Sequence, residues 1–346
     1  MANISTNMAP EVEAMFSKSV NTFIGIVLGI ITVFGIVENF TIFGMFFKFR
    51  KDLNSRTIYM LMSLAISDGV MALIGGTMYT ISSFHNKWPF KYQGCVFYGV
   101  VVFLTGCTDI THLTAIALDR MFAIASPIRY RAWAHNRNLT IFVLTICWLH
   151  GLVWAVLPLT GLSSYAYEGE TSCSIDWLRD DTASRTYIML IFLFVYLIPN
   201  ILMLIAYGFI FITIKTVNKR FAGDHSAASR KKRDMEIRLA INFSLVYVVY
   251  MLVWTPYAIV SFVGAFGDGA AIPMAARGIP AVLAKCSFVL NPLLYVASNK
   301  DHRKKMKTFL GLSHAVEPEE SKELNRQSRD KGNTGESSEK SRTSEH

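Results

Sequence analysis

One lysine lies inside a stretch of the chain that otherwise suits hydrocarbon. Lys285 belongs to the last long apolar segment, fourteen residues before Asn299, which we take as the aqueous end of that segment. In a helix this separation is roughly 21 Å at about 1.5 Å per residue, too far for the ammonium to reach the near surface. A charge at that depth costs about 2.5–3.5 kcal/mol, and burial favours the neutral amine. Because a neutral amine can condense with an aldehyde, Lys285 indicates a covalent ligand site.

The elements that must position Lys285 are helices that cross a membrane. The chain has 346 residues, 52% of them hydrophobic, and a mean hydropathy of +0.35. About seven apolar runs are long enough to cross a bilayer, a pattern that soluble domains lack. The predicted spans cover 21–47, 57–84, a third ending at 125, 139–161, 187–214, 238–266 and 274–298. The predicted fold class is therefore an all-α membrane protein, a seven-transmembrane helix bundle.

The distribution of charge predicts the orientation of these helices. The formal net charge is +9, and the Lys and Arg residues concentrate in the loops after the first, third, fifth and seventh spans. The opposite loops carry Glu168, Glu170, Asp176 and Asp268. Basic loops face the cytoplasm, so we expect the N-terminus outside and the C-terminus inside. The basic excess is then a topology signal, and nucleic acid is not an expected partner.

Three shorter segments flank a receptor domain of residues 20–298. Residues 1–19 lack the basic start and apolar core of a cleavable signal peptide, so we expect an extracellular N-terminus with a glycosylation sequon at Asn3. Residues 299–310 join basic residues to an apolar face, which predicts a short amphipathic helix lying on anionic membrane lipid. Residues 311–346 are polar with almost no aromatics, which predicts a disordered cytoplasmic tail.

Separated motifs along residues 20–310 resemble those of the rhodopsin-like G-protein-coupled receptors. Each motif alone is weak, but their order and spacing together are specific. The motifs are Asn39, Asp68, Asp119-Arg120, Trp148, Pro199 with Tyr207, Trp254-Thr255-Pro256-Tyr257, and Asn291-Pro292-Leu293-Leu294-Tyr295. The resemblance includes a disulfide between Cys95 and Cys173, both predicted at the outer face, where an oxidising compartment permits the bond.

Within that family the position of Lys285 is the mark of opsins, because it lies ten residues before Tyr295 of the Asn-Pro-x-x-Tyr motif. The resemblance implies that Lys285 binds 11-cis retinal through a protonated Schiff base. It also implies a receptor, not an enzyme, that activates a heterotrimeric G protein in response to light. A retinal photoisomerase-type opsin and an ordinary ligand-activated receptor, with Lys285 as a counter-charge, are the alternatives. A transporter is disfavoured because the chain shows no repeated halves.

A buried cation needs an anionic partner. Vertebrate visual opsins carry a glutamate at the position of Tyr98, so this chain departs from their pattern. Glu168 resembles the loop glutamate that serves as counterion in many invertebrate-type opsins, and Tyr98 is then expected as a hydrogen-bonding neighbour. The segment from Glu168 to Cys173 is one residue shorter than usual, so Glu170 stays open as the counterion. Asp109 and a bound anion are minor alternatives.

The resemblance also assigns residues to the wall of the retinal pocket. The expected lining residues are Gly106, Phe192, Tyr196, Trp254 and Tyr257. Trp254 and Tyr257 flank the helix-kinking Pro256 and are expected to pack against the retinal ring and relay its change of shape. Tyr98 together with a loop counterion suggests an invertebrate-type and bistable pigment, with cnidarian opsins as one comparison.

The resemblance places the G-protein switch at the cytoplasmic ends of the helices. Arg120 is expected to pair with Asp119 and with Glu236, which holds the sixth helix inward until light strains the pocket. Tyr207 and Tyr295 are expected to support the open state. The set also contains Asn291 and Pro292 of the last motif.

A polar network is expected between the pocket and this switch. Asn39, Asp68 and Asp109 occupy positions where the family holds water or sodium. Asp68 and Asp109 are expected to face one another, and two close carboxylates do not both ionise readily. The spacing of His, Cys, Asp and Glu residues indicates no metal site.

The expected partners follow from the same resemblance. The heterotrimeric G protein is predicted to be of the stimulatory class, and arrestin and a receptor kinase are expected at the tail. The expected location is the plasma membrane or a photoreceptor membrane, which the chain crosses several times.

Overall fold

The protein is almost entirely helical. The structure, a computed structural model, describes residues 16–53, 55–220, 227–297 and 300–312. Contacts between residues divide the chain into a unit of residues 1–302 and a second unit of residues 303–346. The predicted disordered tail and the sequon at Asn3 lie outside the described residues.

The described residues form twelve α-helices and one two-stranded sheet. The helices are α1 (Lys18–Leu53), α2 (Arg56–Val70), α3 (Thr77–His85), α4 (Lys91–Ala125), α5 (Pro127–Trp133), α6 (Arg137–Val156), α7 (Thr182–Ile191), α8 (Ile198–Arg220), α9 (Ala227–Phe266), α10 (Met274–Lys285), α11 (Leu290–Ala297) and α12 (Lys300–Phe309). The strands are β1 (Tyr165–Glu168) and β2 (Ser172–Ile175). Two π-helical segments, Met71–Gly76 and Phe192–Leu197, join α2 to α3 and α7 to α8. Short 3₁₀ turns cover Leu157–Thr160, Gly269–Ala271 and Ser287–Val289.

Six helical stretches within the described residues are long and apolar enough to cross a membrane. They are Lys18–Lys51, Arg56–His85, Lys91–Ala125, Arg137–Thr160, Thr182–Thr216 and Glu236–Phe266. The predicted seventh span is divided between α10 and α11, which are joined through a 3₁₀ turn after Cys286. Such a turn leaves backbone carbonyls without helical partners, and Asn39 Nδ2 donates to the oxygen of Phe288 at 2.9 Å. Hydropathy does not reveal this break, because the composition stays apolar through it.

The outer faces of the long helices carry large apolar side chains. Phe23, Ile30, Leu204 and Ile212 are exposed, Ile30 to 67%. In water a continuous apolar surface of this kind marks an interface. Around a helix bundle in a bilayer it is the surface that contacts lipid tails.

Helix α4 lies at the centre of the bundle, where it contacts α2, α6, α8 and α9. Its closest approach to α6 depends on Gly151. A β-carbon on Gly151 would lie 2.6 Å from the backbone oxygen of Leu104 and would also overlap the hydroxyl of Thr108. Small residues permit such close packing between membrane helices.

A β-hairpin covers one end of the bundle, the end that the sequence analysis predicts to lie outside the cell. Strands β1 and β2 are antiparallel, and Glu168 lies directly opposite Ser172. Gly169 begins the turn with a φ of +64°, a conformation that glycine adopts without strain. The predicted disulfide between Cys95 and Cys173 is formed and joins β2 to the first turns of α4. The hairpin is therefore held over the interior of the bundle.

Replacing Gly151 by alanine should destabilise the protein, because the rigid backbone of α4 cannot move away from the added methyl group. Overpacking of this kind costs about 1–3 kcal/mol. Gly208→Ala is the matched control, since a β-carbon there meets nothing within 4 Å. That change should leave the melting temperature of the detergent-solubilised protein unchanged or raise it. Equal melting temperatures for the two variants would contradict the described packing of α6 on α4.

Candidate functional site

An apolar cavity of about 970 Å³, including its open side, lies inside the bundle. Its walls come from α4, β2, the α7–α8 segment, α9 and α10. Ligand pockets usually place a few polar groups in an apolar wall. The lining includes every residue that the sequence assigned to the pocket wall, namely Gly106, Phe192, Tyr196, Trp254 and Tyr257. Lys285 is the basic residue of the lining.

Lys285 is 8% exposed and is the last residue of α10. Its Nζ donates to Glu168 Oε2 and, at 2.8 Å, to the hydroxyl oxygen of Ser172. The same nitrogen lies 5.5 Å from the centre of the Tyr79 ring, within the range of a cation–π contact. The lysine charge is therefore balanced by one carboxylate and solvated by one hydroxyl, inside an apolar wall.

Glu168 accepts hydrogen bonds from two different elements. Besides the contact with Lys285, its Oε1 accepts a hydrogen bond from the hydroxyl of Tyr257 at 2.9 Å. The indole nitrogen of Trp177 in turn donates to the Tyr257 oxygen at 3.0 Å. The register of the hairpin puts Glu168 and Ser172 on one face, because directly opposed residues of an antiparallel pair point the same way. The contact between Tyr257 and Glu168 joins α9 to the hairpin.

Glu170 points to a different part of the molecule. Its Oε1 accepts a hydrogen bond from the side-chain nitrogen of Asn21 at 2.7 Å and from the backbone nitrogen of Phe16 at 3.3 Å. Asp109 lies deeper, where its carboxyl group contacts that of Asp68. Of these three candidates, Glu168 is the carboxylate that contacts Lys285.

Tyr98 is fully buried beside this pair. Its ring packs edge-on against Trp88, with 5.1 Å between the ring centres. The neighbours of its hydroxyl include Ser172, Lys285 and Glu168. Tyr98 is thus a neighbour of the ion pair, and Ser172, which the sequence did not single out, accepts the hydrogen bond from Lys285.

The remaining wall residues form a group of aromatic rings. Gly106 allows the indole of Trp254 to lie against α4, since a β-carbon there would be 3.2 Å from the ring. The ring centres of Phe192 and Phe262 are 4.6 Å apart. The hydroxyl of Tyr196 donates to Thr255 at 2.9 Å. Phe192 and Tyr196 belong to the π-helical segment, a feature that is frequent at functional sites.

The expected polar network is only partly brought together. Asn291 Nδ2 donates to Asp68 Oδ2 at 3.1 Å, and Asp68 contacts Asp109. Two carboxyl groups in contact inside an apolar interior need a shared proton or a cation between them. Asn39 instead donates to the backbone oxygens of Gly35 and Phe288.

A second charged cluster lies at the end of the bundle that the sequence analysis predicts to face the cytoplasm. Arg120 donates to Asp119 at 2.6 Å and to Glu236 at 2.5 Å, and it is 3% exposed. Tyr130 of α5 donates to Asp119 at 3.0 Å, and burial raises the pKa of this phenol to about 12. The ring of Tyr207 stacks on that of Tyr247, with centres 5.7 Å apart.

Three residues of this cluster were missed by the sequence analysis, although each contacts Asp119: Arg56, Thr57 and Tyr130. They lie in segments that resemble ordinary loop flanks. Arg56 contacts Asp119 across more than sixty residues of sequence, and Tyr130 belongs to a separate short helix. Pro292 is buried in α11, whereas the side chain of Tyr295 lies outside the described residues.

Comparison with known proteins identifies related chains. Residues 38–295 match the family described as the 7 transmembrane receptor (rhodopsin family). Melanopsin-A of Gadus morhua is 31% identical over 284 residues, which cover 80% of this chain and 50% of that protein. The Gq-coupled rhodopsin of Mizuhopecten yessoensis is 30% identical over 290 residues, covering 81% and 58%. Melanopsin of Homo sapiens is 31% identical over 288 residues, covering 81% and 60%. The chain thus spans about half to three-fifths of the length of these relatives.

The crystal structure of squid rhodopsin has the same fold. The two structures superpose with a TM-score of 0.79, covering 90% of this chain and 91% of the squid chain at 24% sequence identity. The predicted seven-helix bundle is confirmed by this match and by the family match.

Removing one member of the buried ion pair should lower the stability of the protein more than removing both members. Glu168→Gln leaves the Lys285 charge uncompensated, a defect of about 3 kcal/mol for a buried pair. Adding Lys285→Met to Glu168→Gln should recover part of that loss, because the double variant buries no unpaired charge. Melting temperatures of the ligand-free protein, arranged as a double-mutant cycle, measure the coupling. Strictly additive effects would show that the two side chains do not stabilise one another.

Proposed function

The chain belongs to the rhodopsin family of seven-transmembrane receptors, and we propose that it is an opsin, a light-activated receptor that couples to a heterotrimeric G protein. It is accordingly a multi-pass membrane protein. The resemblance to opsins drawn from the sequence is confirmed by the relatives, which are melanopsins and a Gq-coupled rhodopsin. The observation that carries the proposed activity is the buried pair of Lys285 and Glu168 in the wall of an apolar cavity.

The residues of the cavity suit 11-cis retinal, an apolar polyene that ends in an aldehyde. When bound to Lys285 as a protonated Schiff base, with release of one water, retinal supplies visible-light absorption and a light-driven change of shape. The lysine nitrogen carries one positive charge before and after this condensation. Glu168 can therefore balance the same charge in the free and the occupied protein, and we assign it as the counterion.

Several residues of the chain hold that charge in place. Ser172 offers its hydroxyl oxygen to the lysine nitrogen, and Tyr257 donates to the second oxygen of Glu168. These contacts restrict the carboxylate to one orientation toward Lys285. The hairpin, which covers this end of the bundle, excludes water from the ion pair. Exclusion of water strengthens the attraction between the two charges.

Helix α9 provides the route from the cavity to the cytoplasm. It carries Trp254 and Tyr257 in the cavity wall and Glu236 at the other end, where Glu236 pairs with Arg120. A change of ligand shape against Trp254 would displace α9 and weaken the contact of Glu236 with Arg120. Release of Arg120 would open the cytoplasmic surface to the G protein, with Tyr207 and Tyr295 as supports of the open state.

The finer features of the receptor belong to the same proposal. We expect a bistable pigment, a G protein of the stimulatory class, and arrestin and a receptor kinase at the tail. The relative from Mizuhopecten yessoensis is named as Gq-coupled, so cyclic AMP and calcium responses should both be recorded. The expected site is the plasma membrane or a photoreceptor membrane, with the N-terminus outside.

An absorption spectrum tests the ligand and the counterion together. Protein expressed in cells and supplied with 11-cis retinal should show a visible band that Lys285→Ala abolishes. Glu168→Gln should move the band to the near ultraviolet at neutral pH, because the Schiff base loses its proton without a counterion. Glu170→Gln is the matched control and should keep the visible band, since Glu170 contacts Asn21. A band lost in Glu170→Gln and kept in Glu168→Gln would overturn the counterion assignment.

Light-dependent nucleotide exchange on a purified G protein separates the receptor from the other functions. A photoisomerase-type opsin would show the band, release 11-cis retinal and leave exchange unchanged. An ordinary ligand-activated receptor would show no band in folded protein at the cell surface. Persistence of the illuminated pigment, without free retinal, would distinguish a bistable pigment from one that bleaches.

A further inference from the structure

A second arginine is buried beside the cytoplasmic switch. Arg56 is the first residue of α2 and is 5% exposed. Its guanidinium lies 3.2 Å from Asp119 Oδ1 and donates to the backbone oxygen of Trp133 at 2.6 Å. The same group lies over the Trp133 ring at 5.3 Å. Arg56 therefore joins α2 to α4 and to the short helix α5.

The two oxygens of Asp119 are divided between the two arginines. Oδ1 is bound by Arg56, whereas Oδ2 accepts hydrogen bonds from Arg120 at 2.6 Å and from Thr57 and Tyr130 at 3.0 Å. Arg120 has a second anionic partner in Glu236. Arg120 can consequently leave Asp119 without displacing Arg56.

A carboxylate as deeply buried as Asp119 is costly without a cation. The release of Arg120 would leave such a carboxylate behind, and an unpaired buried carboxylate is stabilised by taking up a proton. We propose that Arg56 keeps Asp119 paired after Arg120 has left, so that opening of the switch requires no proton at Asp119. Arg56 is thus a positioning residue, which acts through Asp119 and through the placement of α5.

The groups that face Asp119 support this assignment. From α2 they are Arg56 and Thr57, from α4 Arg120, and from α5 Tyr130. Glu236 of α9 and Tyr207 of α8 act on Asp119 only through Arg120. The raised pKa of Tyr130, about 12, keeps that phenol protonated at neutral pH, so it supplies a hydrogen bond and no charge. Arg56 is then the cation left among the described contacts of Asp119.

The first test uses light and so rests on the proposed function. Full-length receptor supplied with 11-cis retinal is illuminated from mildly acidic to mildly alkaline pH, and nucleotide exchange on the G protein is measured. Wild type and the control Lys51→Gln, which removes an exposed charge nearby, should depend little on pH. In Arg56→Gln the ratio of active to inactive receptor should fall by up to about tenfold per unit rise in pH, because one proton replaces the lost cation. Arg56→Lys should restore much of the wild-type profile.

The second test needs neither retinal nor a G protein. Arg120→Gln imitates the release of Arg120, and its melting temperature should vary little with pH because Arg56 still pairs with Asp119. In Arg120→Gln with Arg56→Gln, the buried carboxylate binds a proton more tightly when folded than when unfolded. Stability should then fall as pH rises. Matching pH profiles for the single and double variants would overturn the role of Arg56.

The two tests separate the possible failures. A pH-dependent double variant, together with a wild type that shows no visible band and no light response, would reject the opsin function and retain the role of Arg56. If the double variant does not fold, Arg56→Gln alone decides, and its visible band reports that it has folded. A light response of Arg56→Gln with the wild-type pH profile would reject the proposal.

Discussion

The buried pair of Lys285 and Glu168 is the constraint on which the outer half of the molecule depends. An ammonium in an apolar wall is tolerated only with a well-placed anion and further hydrogen bonds. The hairpin supplies the anion, and the disulfide of Cys173 fixes the hairpin to α4. Glu170 ties the hairpin turn to Asn21 near the start of α1. The loop architecture can thus be understood as the means of holding one carboxylate beside one lysine.

Helix α9 makes contacts that involve a carboxylate at two places along its length. Tyr257 donates to Glu168 beside the cavity, and Glu236 accepts from Arg120 at the other end of the helix. A displacement of α9 must therefore strain one of these contacts or both. Pro256 lies between these two places and removes a helical hydrogen bond, so bending there costs less than elsewhere in the helix. The two ends of the molecule are consequently coupled through one element with identifiable contacts at each end.

Much of this arrangement follows from the sequence, because hydropathy and charge are local properties. The spans and the buried position of Lys285 could be predicted in that way, and the orientation stays a prediction. The choice between Glu168 and Glu170 could not, since it depends on the register that sets Glu168 opposite Ser172. The contact of Tyr257 with Glu168 depends on side-chain directions in two distant segments. The π-helical segments and the break after Cys286 change the backbone without changing its apolar composition.

The two charged clusters share a principle that the centre of the bundle does not follow. Beside the cavity one cation faces one anion, and at the opposite end of the bundle Arg56 and Arg120 face Asp119 and Glu236. Both clusters are formally neutral, which limits the cost of burying them. Asp68 contacts Asp109 and Asn291, with no basic side chain among the described partners of the two carboxyl groups. Burial of this carboxyl pair would therefore require a shared proton or a cation between the two groups, whereas the two charged clusters are already balanced.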